Sequence, residues 1–211
     1  MNPAVYSKLP HDPIKDFVGV TEIVKAPGVL VINPKLLPVK DFAEPVRYRK
    51  ANPGKVSYAT PGNGTIGHMW GELFKSSTGT SMVHIRYRGA GPAINGVLGG
   101  QVPVNFDPVA SSLPHILAGK LKALVVSWPA RLDVLPDVPA YAELGFANNN
   151  DPSWFGLVAP AGTPAAAVDR IQQAVAQALQ EPAVPTHVDS GPLSLGHHAQ
   201  GVFRTNRARD Q

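Results

Sequence analysis

Cysteine is absent from the 211 residues, which removes disulfides, thiolate metal sites and cysteine nucleophiles together while leaving either an oxidising or a reducing compartment open. Charge is sparse as well. Only 16% of residues are Asp, Glu, Lys or Arg against 44% hydrophobic, which excludes the composition of a disordered chain. No uninterrupted apolar run is long enough to span a bilayer, and NPAVYSKLPHDP, after Met1, lacks the apolar core of a secretion signal. The chain as written therefore reads as soluble, and as cytoplasmic if expressed in this form.

Catalytic signatures are missing too. There is no G-x-S-x-G elbow, no G-x-x-x-x-G-K-[ST] loop and no H-E-x-x-H helix. His68 and Glu72 stand four residues apart, but one histidine and one carboxylate do not complete a metal site. His197 and His198 are adjacent residues in a poorly patterned tail, so no metal is expected. The net charge is +4, yet apart from Arg47, Arg49, Lys50 and the terminal Arg204, Arg207 and Arg209 the cations are scattered. Without a continuous basic stripe, nucleic acid is not an expected partner.

What the chain does have is punctuation: 22 prolines and 20 glycines divide it into short strands and helices. Strands are expected at residues 56–59, 83–87, 102–106 and 121–127. Helices are expected between them at 65–75, 93–98 and 111–118, with Asp107 as a turn. Such alternation predicts parallel strands joined by right-handed crossovers, with all C-terminal strand ends on one rim, where open α/β sheets bind ligands. Two flanking segments differ. FVGVTEIVKAPGVLVI is a pair of apolar runs broken at Ala26-Pro27-Gly28, and WFGLVA is a strand leading to a helix. Thr163 is expected to cap that helix and Pro164 to open it, with Val168, Ile171, Val175 and Leu179 on one face. These flanks fit a second lobe that the chain leaves and re-enters.

In SYATPGNGTIGH, Gly62, Gly64 and Gly67 spell G-x-G-x-x-G, the spacing of a dinucleotide-binding turn. The carboxylate expected some 20 residues on is missing; Arg86 and Arg88 stand there instead, which keeps an NADP-linked oxidoreductase open as an alternative. Independently of any nucleotide, Gly62, Asn63, Gly64 and Thr65 precede one helix and Gly89, Ala90 and Gly91 precede another. Both therefore offer free N–H groups and positive dipole ends to an anion. The hydroxyls of Thr60 and Thr65 are candidate extra donors to a carboxylate. His68, close to the helix start, is expected to hydrogen-bond its own loop. Asp107 is the one carboxylate placed where a site would be, and capping a turn is the competing reading.

The runs YSKLPHDPIKDF, KANPGKVSYATPGNGTIGHMWGELFKSSTG, VHIRYRGAGPAINGVLGGQVPVNFD, LPHILAGKLKALVVSWPARLDVLPDVPAYAELGF and SWFGLVAPAGTP together resemble the Bug family, the periplasmic solute-binding proteins of tripartite tricarboxylate transporters. The resemblance extends from Met1 to about Leu179. It implies an α/β, periplasmic-binding-protein-like fold of type II, in which two lobes close on a small carboxylate that is passed to a membrane permease. It implies no catalysis and no cofactor, and a periplasmic location. The ligand-binding set it implies, together with the residues of the rim, is Thr60, Gly62, Asn63, Gly64, Thr65, His68, Gly89, Ala90, Gly91 and Asp107. The domains expected are 1–31 as part of lobe one, 32–148 as a complete lobe two, and 149–211 as the return to lobe one and a C-terminal tail.

The departures are a missing leading segment of lobe one and an altered C-terminus, where Pro182 and Pro185 interrupt a region helical in the family. Pro45 likewise sits in a family helix. On that reading lobe one is incomplete, apolar surface is left uncovered around Val29, Val31, Trp154 and Val158, and a nonfunctional truncated remnant is a further alternative.

Overall fold

The chain is described by a computed structural model covering residues 8–51, 54–181 and 194–195. It divides into two units, the described residues of Met1–Ala26 and Trp154–Gln211 in one and Pro27–Ser153 in the other. The two are taken separately.

The unit Pro27–Ser153 is organised by one strand that belongs to it unexpectedly. β2 (Gly28–Ile32) is GVLVI, five residues all buried, and a continuous apolar run of this kind fits a strand covered on both faces. It lies inside a five-stranded sheet, between β5 (Val104–Pro108) and β6 (Lys122–Ser127). β3 (Ser57–Thr60) and the edge strand β4 (Val83–Arg86) complete the order β4-β3-β5-β2-β6. β3 is parallel to β4 and β5, whereas β2 is antiparallel to β5 and β6. Four strands therefore share the direction that βα alternation requires, and β2 makes the sheet mixed.

The two units divide at other positions than the expected lobe bounds. The boundary expected between residues 31 and 32 falls earlier, after Ala26, and the second, expected after 148, falls after Ser153. The physical reason for the first is the register of β2. Val29 and Val31, expected at an uncovered surface, are 2% and 0% exposed because the strand is paired on both sides. For the second, Trp70 Nε1–H donates to the Asp151 carbonyl at 3.0 Å and the Ser127 hydroxyl to the same oxygen at 2.7 Å, which ties the departing chain to this sheet.

The alternation of side chains along β2 sends Leu30 and Ile32 to one face with Tyr58, Trp70, Phe74, Val104 and Phe106. Val29 and Val31 go to the other with Ala59, Ala93, Val97 and Val109. Helix α1 (Ala43–Ala51) precedes β3, and its Pro45 falls in the first turn, where no intrahelical N–H is needed. α2 (Ile66–Thr78) buries Trp70 and Phe74, α3 (Ala90–Leu98) buries Ala93, Ile94 and Val97, and α4 (Val109–Leu117) buries Val109 and Ser112.

The other unit contains β1 (Phe17–Ala26), β7 (Ser153–Pro160) and β8 (Ser194–Leu195) in the order β7-β1-β8, with α5 (Ala165–Ala178). Pro164, not Thr163, is the N-cap of α5, because the Thr163 hydroxyl instead donates to the Pro160 carbonyl at 2.7 Å in the preceding turn. The apolar side of α5 is half covered; none of its residues is buried. Trp154 and Val158, expected at an uncovered surface, are 45% and 52% exposed, and Phe155 is 56% exposed. Arg204, Arg207, Arg209, His197, His198, Pro182 and Pro185 lie outside the described residues.

Candidate functional site

Because β3, β4 and β5 are parallel, the residues that follow each of them lie on one rim, with Gly28 of β2 facing Pro108 there. The turn after β3 is cross-tied to the turn after β4: Tyr87 N–H donates to the Thr60 carbonyl at 2.9 Å and Gly89 N–H to the Pro61 carbonyl at 3.0 Å. Residues 60–65 and 89–91 thus form one connected surface.

The first loop is shaped by its own hydrogen bonds. Gly64 has φ 69°, a left-handed conformation that costs a side-chain-bearing residue about 1 to 2 kcal/mol. Gly62 N–H donates to Thr60 Oγ1 at 3.2 Å, and the Thr65 hydroxyl donates to the Gly62 carbonyl at 2.7 Å. The two threonine hydroxyls are therefore engaged within the loop rather than held out as donors. What the loop presents instead is backbone: the N–H groups of Ile66, Gly67 and His68, in the first turn of α2, and of Asn63 ahead of it have no acceptor among the described residues. The same holds for Ala90 and Gly91 at the start of α3. Ile66 and Gly67 were not among the sequence candidates; the third glycine of the G-x-G-x-x-G spacing was the available signal.

His68 does bond its own loop. Its Nδ1 accepts from Gly64 N–H at 3.2 Å, and its ring stacks on that of His84 with centroids 4.2 Å apart. His84 Nε2 is hydrogen-bonded to the Thr60 hydroxyl. Behind them Tyr58 OH donates to Glu72 at 2.6 Å and Lys75 Nζ to Glu72 at 2.7 Å. Burial pushes the Tyr58 hydroxyl up, and the adjacent Glu72 adds to it. Burial works against ionised Glu72, but hydrogen bonds from Lys75 and Tyr58 outweigh it and hold the carboxyl below its ordinary value. His84 is held down, first by burial and then by the charge of His68. His84, Tyr58 and Lys75 carried no sequence motif; the parallel pairing of β3 with β4 sets Tyr58 beside His84, and Lys75 reaches Glu72 from α2.

Asp107 is neither a turn residue nor a turn cap. It lies within β5, is 0% exposed, and accepts a hydrogen bond from the Ser112 hydroxyl at 2.8 Å. Burial pushes its carboxyl up to about 6, against the pull of Ser112. Two residues earlier on the same face, Asn105 is also 0% exposed. Both side-chain atoms of Asn105 and Oδ1 of Asp107 lack partners among the described residues. Buried polar atoms are nearly always satisfied, so this pair marks an internal polar spot that the sequence motifs did not signal. A separate cavity of about 580 Å³, lined by Phe42, Val46, Leu124 and Leu144, includes Lys122, which pairs with Ile32 at the end of the sheet opposite the rim. No group of three His, Cys, Asp or Glu able to hold a metal occurs among the described residues, and none of their helices is long and apolar enough to cross a membrane.

The family described as "Tripartite tricarboxylate transporter family receptor" matches residues 1–198. Protein BugT of Bordetella pertussis is 35% identical over 176 residues, covering 83% of this chain and 54% of its own. A solved structure described as a periplasmic transporter superposes with a TM-score of 0.86 at 41% identity, over 99% of this chain and 69% of its own. The R. palustris protein Rpa4515, solved with adipate, gives 0.84 at 29% identity over 97% of this chain and 70% of its own. The chain spans about half the length of the curated relatives it matches. A mixed α/β unit with donor loops on one rim, matched in sequence across residues 1–198 and in fold to such proteins, settles the assignment: this chain belongs to the tripartite tricarboxylate transporter receptor family.

Proposed function

We propose that the chain carries a carboxylate-binding rim of a solute receptor, acts in the periplasm, delivers its ligand to membrane permease subunits, and catalyses no reaction. The observation that carries this reading is the cluster of unpartnered N–H groups on two cross-tied helix N-termini, at Asn63, Ile66, Gly67 and His68 and at Ala90 and Gly91. Donors of this kind suit a carboxylate, each charge-assisted bond contributing about 1.5 to 3 kcal/mol once desolvated. Within the rim, Gly62 and Gly64 let the backbone turn, Thr60 and Thr65 hold it, and Gly89 joins the second loop to the first. Asp107, expected to meet a hydroxyl or ammonium of the ligand, is buried with Asn105 and bonded to Ser112 beneath the rim, so it supports the rim from within. Adipate in the related Rpa4515 structure supports a small dicarboxylate as the solute class.

The test is calorimetry on the 211-residue chain with adipate, malate and monocarboxylates, and with NADPH as the competing ligand. Saturable binding of a carboxylate is expected; binding of NADPH alone would overturn the reading in favour of a dinucleotide site. Gly64→Val is expected to weaken carboxylate binding at least tenfold, since about 1.4 kcal/mol is a factor of ten and valine is strained at φ 69°. Unchanged affinity in a folded variant, checked by its melting temperature, would remove this loop from the site.

A further inference from the structure

The two stacked imidazoles do more than fill space behind the loop, because each is hydrogen-bonded to it: His68 through Gly64 N–H and His84 through Thr60. With Nδ1 accepting from Gly64, neutral His68 carries its proton on Nε2, which faces Glu72 Oε1 at 3.7 Å. Nδ1 cannot remain an acceptor once it is protonated. We propose that the His68 and His84 pair is a proton-operated latch on the carboxylate loop: the neutral pair holds Gly64 N–H inward, and uptake of one proton releases that donor and adds a positive charge beneath the loop, so that anion capture and proton uptake occur together.

The surroundings set this up. From α2, Glu72 faces His68 and Lys75 is bonded to Glu72; from β3, the Tyr58 hydroxyl is bonded to Glu72 and its ring stacks 5.0 Å from His84; from β4, Arg86 adds positive charge near His84. Two imidazole rings with centroids 4.2 Å apart disfavour two positive charges side by side, so the latch involves a single proton. Histidine is the side chain whose charge ordinarily changes near neutral pH, which sets the pH range of the test.

This proposal rests on the carboxylate reading of the rim, and the experiment separates the two. Adipate binding is measured by calorimetry between pH 8 and pH 6 in buffers of different protonation enthalpy, on the wild-type chain and on His68→Gln. Glutamine keeps an amide oxygen for Gly64 N–H and does not titrate. In the wild type, affinity is expected to rise as pH falls, by up to tenfold per unit, with up to one proton taken up per ligand. In His68→Gln the pH dependence is expected to flatten and the uptake to vanish. An NMR titration of the ligand-free protein should show the Gly64 amide shifting together with the His68 ring. If adipate and the other carboxylates fail to bind at any pH, the rim is not a carboxylate site and the latch falls with it. If carboxylate binds without proton uptake, or His68→Gln keeps the wild-type uptake, the latch alone is overturned.

Discussion

Gly67→Ala is expected to destabilise the unit Pro27–Ser153 by about 2 kcal/mol, even though alanine is the better helix former. Gly67 lies in the first turn of α2, and a Cβ there would sit 2.5 Å from the Phe106 carbonyl oxygen, a backbone atom of the central strand β5 that cannot swing aside. Alanine gains about 1 kcal/mol of intrinsic helix preference. Overpacking of a fixed contact costs about 1 to 3 kcal/mol, and with backbone on one side the upper end applies, so the clash wins. The contrast is Gly91→Ala in the first turn of α3, where nothing lies within 4 Å; its urea midpoint should be unchanged or slightly raised. Equal midpoints for the two variants would show that α2 has room to move off the sheet. The close approach matters for the rim as well, since it fixes how far the N–H groups of Ile66 and Gly67 stand above the strand ends.

Asp107→Asn is expected to raise stability at pH 8 by up to about 3 kcal/mol and to change it little at pH 4. In the folded protein burial lifts the Asp107 carboxyl from 3.8 to about 6, so the native state holds this proton more tightly than the unfolded chain. Stability from this group is complete below about pH 4 and is lost as pH rises through about 6. Two pK units at 1.36 kcal/mol each give the magnitude. His84 works in the opposite direction: held below its ordinary value, it contributes stability that is present above about pH 6.5 and is lost as pH falls. The difference between wild type and variant at each pH isolates Asp107, because asparagine keeps an oxygen to accept from Ser112 and does not titrate. Urea midpoints at pH 4, 6 and 8 provide the measurement; a wild-type-to-variant difference that stays constant across that range would refute the buried, proton-holding carboxyl.

Much of this protein is determined locally and is therefore visible in the chain. The β3, α2, β4, α3 and β5 alternation follows from short β-branched runs, glycine loops and apolar helical stripes, and these require neighbours only a few residues away. The shared direction of four strands follows from the brevity of their crossovers. The donor loop at residues 60–65 was legible for the same reason: glycines ahead of a helix leave N–H groups unpaired whatever surrounds them. The bond from Gly64 to His68 spans four residues and was likewise expected from position alone.

Tertiary structure decided what depends on residues far apart in sequence. GVLVI is apolar throughout and fits either unit; only pairing with β5 and β6, some 75 and 95 residues onward, places it in the central sheet and buries Val29 and Val31. Asp107 ends an apolar run and reads as a turn residue, but antiparallel pairing with Val29 extends β5 through it and closes it from solvent. Thr60 and Thr65 looked like donors because a hydroxyl's partner cannot be known until the loop closes on itself. The imidazole stack joins residues 16 apart across parallel strand β4 and helix α2, and no local pattern encodes it. Composition and short-range spacing thus set the elements and the donor loops of the rim. Long-range strand order set which polar groups are buried, which donors remain free, and which histidines touch the loop, because those properties belong to pairs of residues that only the folded sheet brings together.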